Sequence, residues 1–175
     1  MKAILPYIFK TLGLLPWGAL RGLGALVGTL LWLQRGRAYQ ITMRNLRNCL
    51  KLNHEDAHKF ALESLRDTAK TACEAGAIWS NSWDWLDAHI VAREGEDLMR
   101  AELAHGKGLL VLAPHLGNWE VVAPYLASVA PLTAMYQPSG AEALDNLILS
   151  GRSKNNIQMA PTNRKGVSML LKALQ

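Results

Sequence analysis

Cysteine is nearly absent from this chain of 175 residues. There are two, Cys49 and Cys73, and no C-x-x-C spacing. That excludes a disulfide framework and the usual zinc or redox cysteine motifs. Both lie in stretches of helical pattern and read as buried thiols of a reducing compartment. Acid is missing altogether from the first 54 residues. That third carries eight bases (Lys2, Lys10, Arg21, Arg35, Arg37, Arg44, Arg47 and Lys51), whereas residues 55–175 carry eleven bases against fourteen acids. The overall excess of base therefore belongs to the N-terminal third and not to the chain as a whole. With half the residues apolar and 19% charged, the composition excludes a disordered or collagen-like chain. The length suits one domain, or one domain with an anchor.

A basic arm meets nucleic acid or anionic lipid, and the residues between the charges decide which. Leu12 to Leu33 reads LGLLPWGALRGLGALVGTLLWL, with Arg21 its only charge. Nucleic-acid arms interleave bases with polar residues, so this run excludes that reading. A helix of 22 residues at about 1.5 Å per residue is long enough to cross the hydrocarbon core. Trp17 and Trp32 suit the headgroup level, and Gly18/Gly22 and Gly24/Gly28 are small pairs that permit close helix packing. Arg21 and Pro16 oppose a simple span, so shallow interfacial burial is an equal expectation. A core helix hairpin broken near Pro16 is the non-membrane alternative. Bases at 35, 37, 44, 47 and 51 follow directly, which keeps the rest of the chain on the cytoplasmic side.

From Glu55 to Ser80, Ala57, Phe60, Ala61, Leu65, Ala69, Ala72, Cys73 and Ala77 recur at spacings of three and four. This predicts a helix, with Asn53 as N-cap. His54-Glu55-Asp56-Ala57-His58 matches H-E-x-x-H, the zinc peptidase pattern, and Glu74 is a conceivable third ligand. Asp56 and Lys59 break the apolar frame that such a motif needs. An exposed, capped first turn is the preferred reading, and no metal is expected. Trp79, Trp83 and Trp85 crowd the polar break that follows, and core packing is their expected role.

Residues 105–122 read HGKGLLVLAPHLGNWEVV. Gly106-Lys107-Gly108 predicts a turn and lacks the spacing of a phosphate-binding loop. Leu109 to Ala113 predicts a strand buried on both faces, ended by Pro114. A helical pattern runs from about Asn118 to Ala127. Polar residues at the carboxyl end of a strand are where open α/β sheets place ligands. On a single helix His115 and Glu120 would point about 140° apart. They meet only with His115 in the loop and Glu120 in the first helical turns, a path for which Gly117 supplies the backbone freedom. Glu120 then holds one ring nitrogen and the other takes a proton from a hydroxyl. That arrangement leaves the nucleophile to the substrate.

The chain resembles the bacterial lipid A biosynthesis lauroyl/myristoyl acyltransferases, of the lysophospholipid acyltransferase-like group. The resemblance rests on ordered pieces: the N-terminal anchor, Arg44-Asn45-Leu46, Gly106-Lys107-Gly108 before a strand, and His115-Leu116-Gly117-Asn118-Trp119-Glu120, similar to H-x-G-N-W-E. Tyr136-x-Pro138, Asp145, Arg152, Lys165-Gly166, Leu170 and Ala173-Leu174 follow. It implies acyl transfer from an acyl-carrier-protein thioester to a hydroxyl of a lipid A precursor, at the cytoplasmic face of the bacterial inner membrane. His115 is then the general base with Glu120 assisting, and Arg152 faces the developing oxyanion. Asn118 and Tyr136 are substrate-binding candidates. Arg164 and Lys165 would meet lipid phosphates or the acidic carrier protein, although solvated surface charge fits them equally. No cofactor and no nucleic-acid partner is implied.

The fold class expected is α/β. A membrane-associated helical anchor occupies 1–35, a helical segment 36–85 and a partial acyltransferase core 86–175. Members of this family continue beyond the point where this chain ends, so a C-terminally truncated core is expected. The alternative function is an inactive membrane-bound fragment or interaction module derived from such an enzyme.

Overall fold

The computed structural model describes residues 5–138, 140, 142–153 and 157–174, with side chains from Tyr7 onward. Lys2 and Gln175 lie outside the described residues. The chain is mostly helical and divides into two compact units, one of residues 9–77 and one built on residues from 78 onward. A short helix α1 (Leu5–Leu12) comes first.

The first unit contains α2 (Trp17–Gln34), α3 (Arg37–Cys49) and most of α4 (His54–Ser80). The run Leu12–Leu33 is not one helix. It turns at Gly13–Leu15 and α2 restarts after Pro16, which cannot donate to a preceding turn. This removes Leu12, Leu14 and Leu15 from α2. Among the described residues no helix is long and apolar enough to cross a membrane, so the spanning expectation is not met. Arg21 is accounted for within the unit: its guanidinium donates to Glu74 Oε1 at 2.9 Å, and Glu74 is only 2% exposed. A lone buried carboxylate would be costly, and the pair removes that cost.

Of the two glycine pairs, Gly24/Gly28 does the close packing. A Cβ at Gly24 would lie 2.4 Å from the Lys70 Cα, and one at Gly28 2.4 Å from the Arg66 Cα. The backbones of α2 and α4 therefore touch, and only glycine fits. Gly18 and Gly22 face open space. Trp32 is a packing residue and not a headgroup residue. Its indole donates to the His58 carbonyl at 3.1 Å beside the core of Tyr39, Met43, Ala57, Ala61 and Leu65.

Helix α4 starts where the pattern put it. Asn53 Oδ1 accepts from the Asp56 backbone N–H at 2.9 Å, a capping bond. The His54 and His58 rings stack at 6.3 Å, and His58 Nδ1 lies 2.8 Å from the Tyr39 hydroxyl. Glu74 is engaged by Arg21, and among the described residues no group of three His, Cys, Asp or Glu side chains is placed to hold a metal. Cys73 is buried as expected, and burial first, then the Glu74 charge, hold its thiol above the usual range. Cys49, the last residue of α3, is exposed, contrary to the expectation. A helix end there leaves one side of it to solvent.

The second unit contains α5 (Trp83–Asp87), α6 (Glu96–Ala104), a 3-10 turn (Trp119–Val121), α7 (Val122–Val129), β1 (Leu132–Tyr136), α8 (Glu142–Arg152), β2 (Ile157–Pro161) and α9 (Arg164–Ala173). β1 and β2 pair in parallel, Leu132 opposite Ile157 and Tyr136 opposite Pro161. The crossover is α8, the connection that parallel strands require. Pro161 closes β2, a position where its missing N–H breaks no interior ladder. α9 packs on both strands, and α7 also packs against β1 and β2.

The strand expected at Leu109–Ala113 does not form. The segment is irregular, with Leu110 75% and Leu112 87% exposed. A continuous apolar run becomes a strand only when neighbours accept its hydrogen bonds, and among the described residues the one sheet is β1–β2.

Candidate active site

The site is built where four segments of the second unit converge. Gly117 lies in the left-handed region at φ 58°, a conformation that strains any side chain, and it turns the chain from His115 into the 3-10 turn. His115 thus stays in the loop and exposed, while Glu120 sits in the first helical turn and is 6% exposed. The backbone path follows the expectation, but the hydrogen bond does not. Glu120 is bound elsewhere, and His115 is not among its partners.

Arg152, the last residue of α8, grips the Glu120 carboxylate with two bonds. Nε donates to Oε2 at 3.1 Å and Nη2 to Oε1 at 2.5 Å. This is the bidentate fork that a guanidinium makes best. Trp79, in the last turn of α4, donates its indole N–H to Glu120 Oε2 at 2.9 Å. The reading of Arg152 as a solvated helix-end base is excluded, since its side chain is largely buried in this pair.

Three aromatic rings surround the guanidinium. Its Cζ lies 5.0 Å from the Trp119 ring centroid, 5.8 Å from Trp79 and 5.9 Å from Tyr136. These distances suit cation–π contacts. Tyr136 ends β1 and donates its hydroxyl to Asp145 Oδ1 at 2.6 Å. Asp145 lies two turns before Arg152 on α8, so that helix presents both residues to the site. The His115 ring rests on Trp119 at 4.2 Å between centroids, tilted by 45°. One indole therefore has an accessible imidazole and a held guanidinium as neighbours.

Asn118, half-buried, precedes the 3-10 turn beside this group. Arg164 and Lys165 are exposed in the first turn of α9, and none of the contacts of the Glu120–Arg152 cluster includes them. Two contributors to the site are not legible as such in the sequence. Trp119 enters the sequence pattern only as a motif letter, while Trp79 is buried in the core as expected and its bond to Glu120 is the added part. Trp79 lies 41 residues before Glu120, so no spacing in the sequence links the two.

A family profile described as bacterial lipid A biosynthesis acyltransferase matches residues 4–175. The chain belongs to that family. It is 24% identical over 164 residues to the lipid A biosynthesis palmitoleoyltransferase of Escherichia coli (strain K12), and equally to the lipid A biosynthesis acyltransferase of Shigella flexneri. Each match covers 90% of this chain and 52% of the relative. The chain thus spans about half the length of the curated relatives it matches. Within this acyltransferase family member, the loop His115, Trp119, Glu120 and Arg152 form one contiguous group.

Proposed function

We propose that this chain carries an acyl-transfer site acting on a lipid A precursor, with an acyl-carrier-protein thioester as donor. The observation that carries the reading is that His115 and Arg152 flank the same Trp119 ring, at 4.2 and 5.0 Å. One is an exposed base and the other a fixed cation. An acyl transfer needs both, a base on the acceptor hydroxyl and a positive charge near the thioester oxygen.

His115 takes the proton as the hydroxyl oxygen bonds to the thioester carbon. Negative charge grows on the carbonyl oxygen, facing Arg152. The C–S bond then breaks and the leaving thiolate takes the proton from His115. Glu120 contributes through Arg152, whose guanidinium it holds in place, and not by orienting the imidazole. Asn118 and Tyr136 line the same region, and Arg164 and Lys165 are the bases available to phosphates. These assignments are supported by the resemblance of His115–Glu120 to the family's motif and by membership of the family.

Interfacial membrane association belongs to the same reading. One face of α2 leaves Leu23, Leu26, Leu30 and Leu33 exposed, and Arg35, Arg37, Arg44, Arg47 and Lys51 are exposed after it. An apolar face followed by bases suits an anionic lipid surface at the cytoplasmic side of the inner membrane.

The test is incubation of the full chain with acyl-carrier protein bearing a fatty acyl group and a tetraacyl lipid A precursor, read by mass spectrometry. One added acyl chain on the precursor is expected. No product, with vesicle binding intact, contradicts the reading and leaves a lipid-binding module.

A further inference from the structure

The Glu120–Arg152 pair is fixed from a side that the family motif does not describe. A bidentate pair still allows the carboxylate and guanidinium to swing together about their side-chain torsions. Trp79 removes that freedom at both ends. Its indole N–H donates to Glu120 Oε2 at 2.9 Å, from a ring that is itself buried. On its other side lies the last turn of α8. A Cβ at Gly151 would sit 2.5 Å from the Trp79 Cβ and 2.8 Å from its Cγ. The α8 backbone is thus pressed directly on Trp79, and the next residue is Arg152. The same side chain sets where the guanidinium leaves the helix and where its carboxylate partner stands.

We propose that Trp79 is a positioning residue, which holds the Glu120–Arg152 pair against Trp119 for the transfer step. The proposal rests on the acyl-transfer reading for its functional meaning, while its structural content is independent of it. A phenyl ring at 79 would keep much of the packing but lose the donor. Oε2 would then be held by Arg152 alone, the carboxylate and guanidinium could swing together, and Arg152 would leave the ring of Trp119. A hydrogen bond to a charged group is worth enough for a rate effect of about tenfold or more when lost. Because the guanidinium acts on the transition state and not on ground-state binding, the loss belongs in kcat.

The experiment compares the wild-type chain with Trp79→Phe and with a chain carrying 3-benzothienylalanine at 79, which keeps the bicyclic shape and replaces the N–H by sulfur. Two quantities are read. The first is hydrogen exchange of the Arg152 Nε–H, its NMR resonance assigned by its disappearance in Arg152→Lys. The second is kcat and KM for acyl transfer. Exchange at least tenfold faster in both variants, with kcat about tenfold lower and KM unchanged, is expected. Exchange within twofold of wild type in the benzothienyl chain overturns the proposal, as does an unchanged kcat in an active enzyme. If Trp79→Phe fails to fold, the isostere decides. If the wild type transfers no acyl group, the acyl-transfer reading fails and the exchange measurement still decides the role of Trp79.

Discussion

A buried carboxylate, a guanidinium and two indoles form the centre of the candidate site. Glu120 and Arg152 neutralise each other among Trp79, Trp119 and Tyr136, so each depends on the other for its burial. Glu120→Ala leaves the guanidinium without its partner and should lower the unfolding free energy by about 3 kcal/mol. The double change Glu120→Leu with Arg152→Met should recover much of that stability while leaving transfer abolished. Urea denaturation with a parallel activity assay measures both. Part of this was legible in the order of residues. His115 and Glu120 stand in the family's pattern, and Gly117 announced the bend between them by the permissiveness of its backbone. The partner of Glu120 was not legible, because Trp79 and Arg152 lie 41 and 32 residues away and only packing brings them in.

At the scale of elements, α2 shows how one glycine spacing serves two different surroundings. Gly24 and Gly28 touch the α4 backbone, whereas Gly18 and Gly22 meet nothing. Gly28→Ala should push α2 from α4 and destabilise the chain by about 1–3 kcal/mol. Gly22→Ala should instead stabilise it by about 0.5–1 kcal/mol, through better helix propensity at an open position. Denaturant midpoints for the two variants should therefore move in opposite directions. The spacing announced a packing face, but it did not say which pair was used or what it packed on. The extent of α4 and the helix after Asn118 followed from periodicity and capping, which are local properties. The expected strand at 109–113 failed because strand formation depends on neighbours. The strands that form, Leu132–Tyr136 and Ile157–Pro161, are short and of mixed pattern, without a continuous apolar run.

At the scale of the whole molecule, charge and apolar surface bear on the proposed interfacial binding to lipid. The acid-free first 54 residues place five of their eight bases after a helix whose outer leucines are exposed. Binding to vesicles containing phosphatidylglycerol should exceed binding to phosphatidylcholine vesicles. It should weaken between 50 mM and 500 mM salt as charges are screened, with a residual apolar component. Sedimentation of the full chain with each vesicle type measures this. In the proposed acyl transfer the base is His115, exposed beside Trp119. The most direct measurement is kcat/KM for acyl transfer by the full chain and by His115→Ala, with thermal unfolding of both. A fall of about 100-fold or more with the unfolding midpoint unchanged is expected, because the imidazole is exposed and in the proposed step acts on the reacting proton. Equal kcat/KM in the two chains would contradict it.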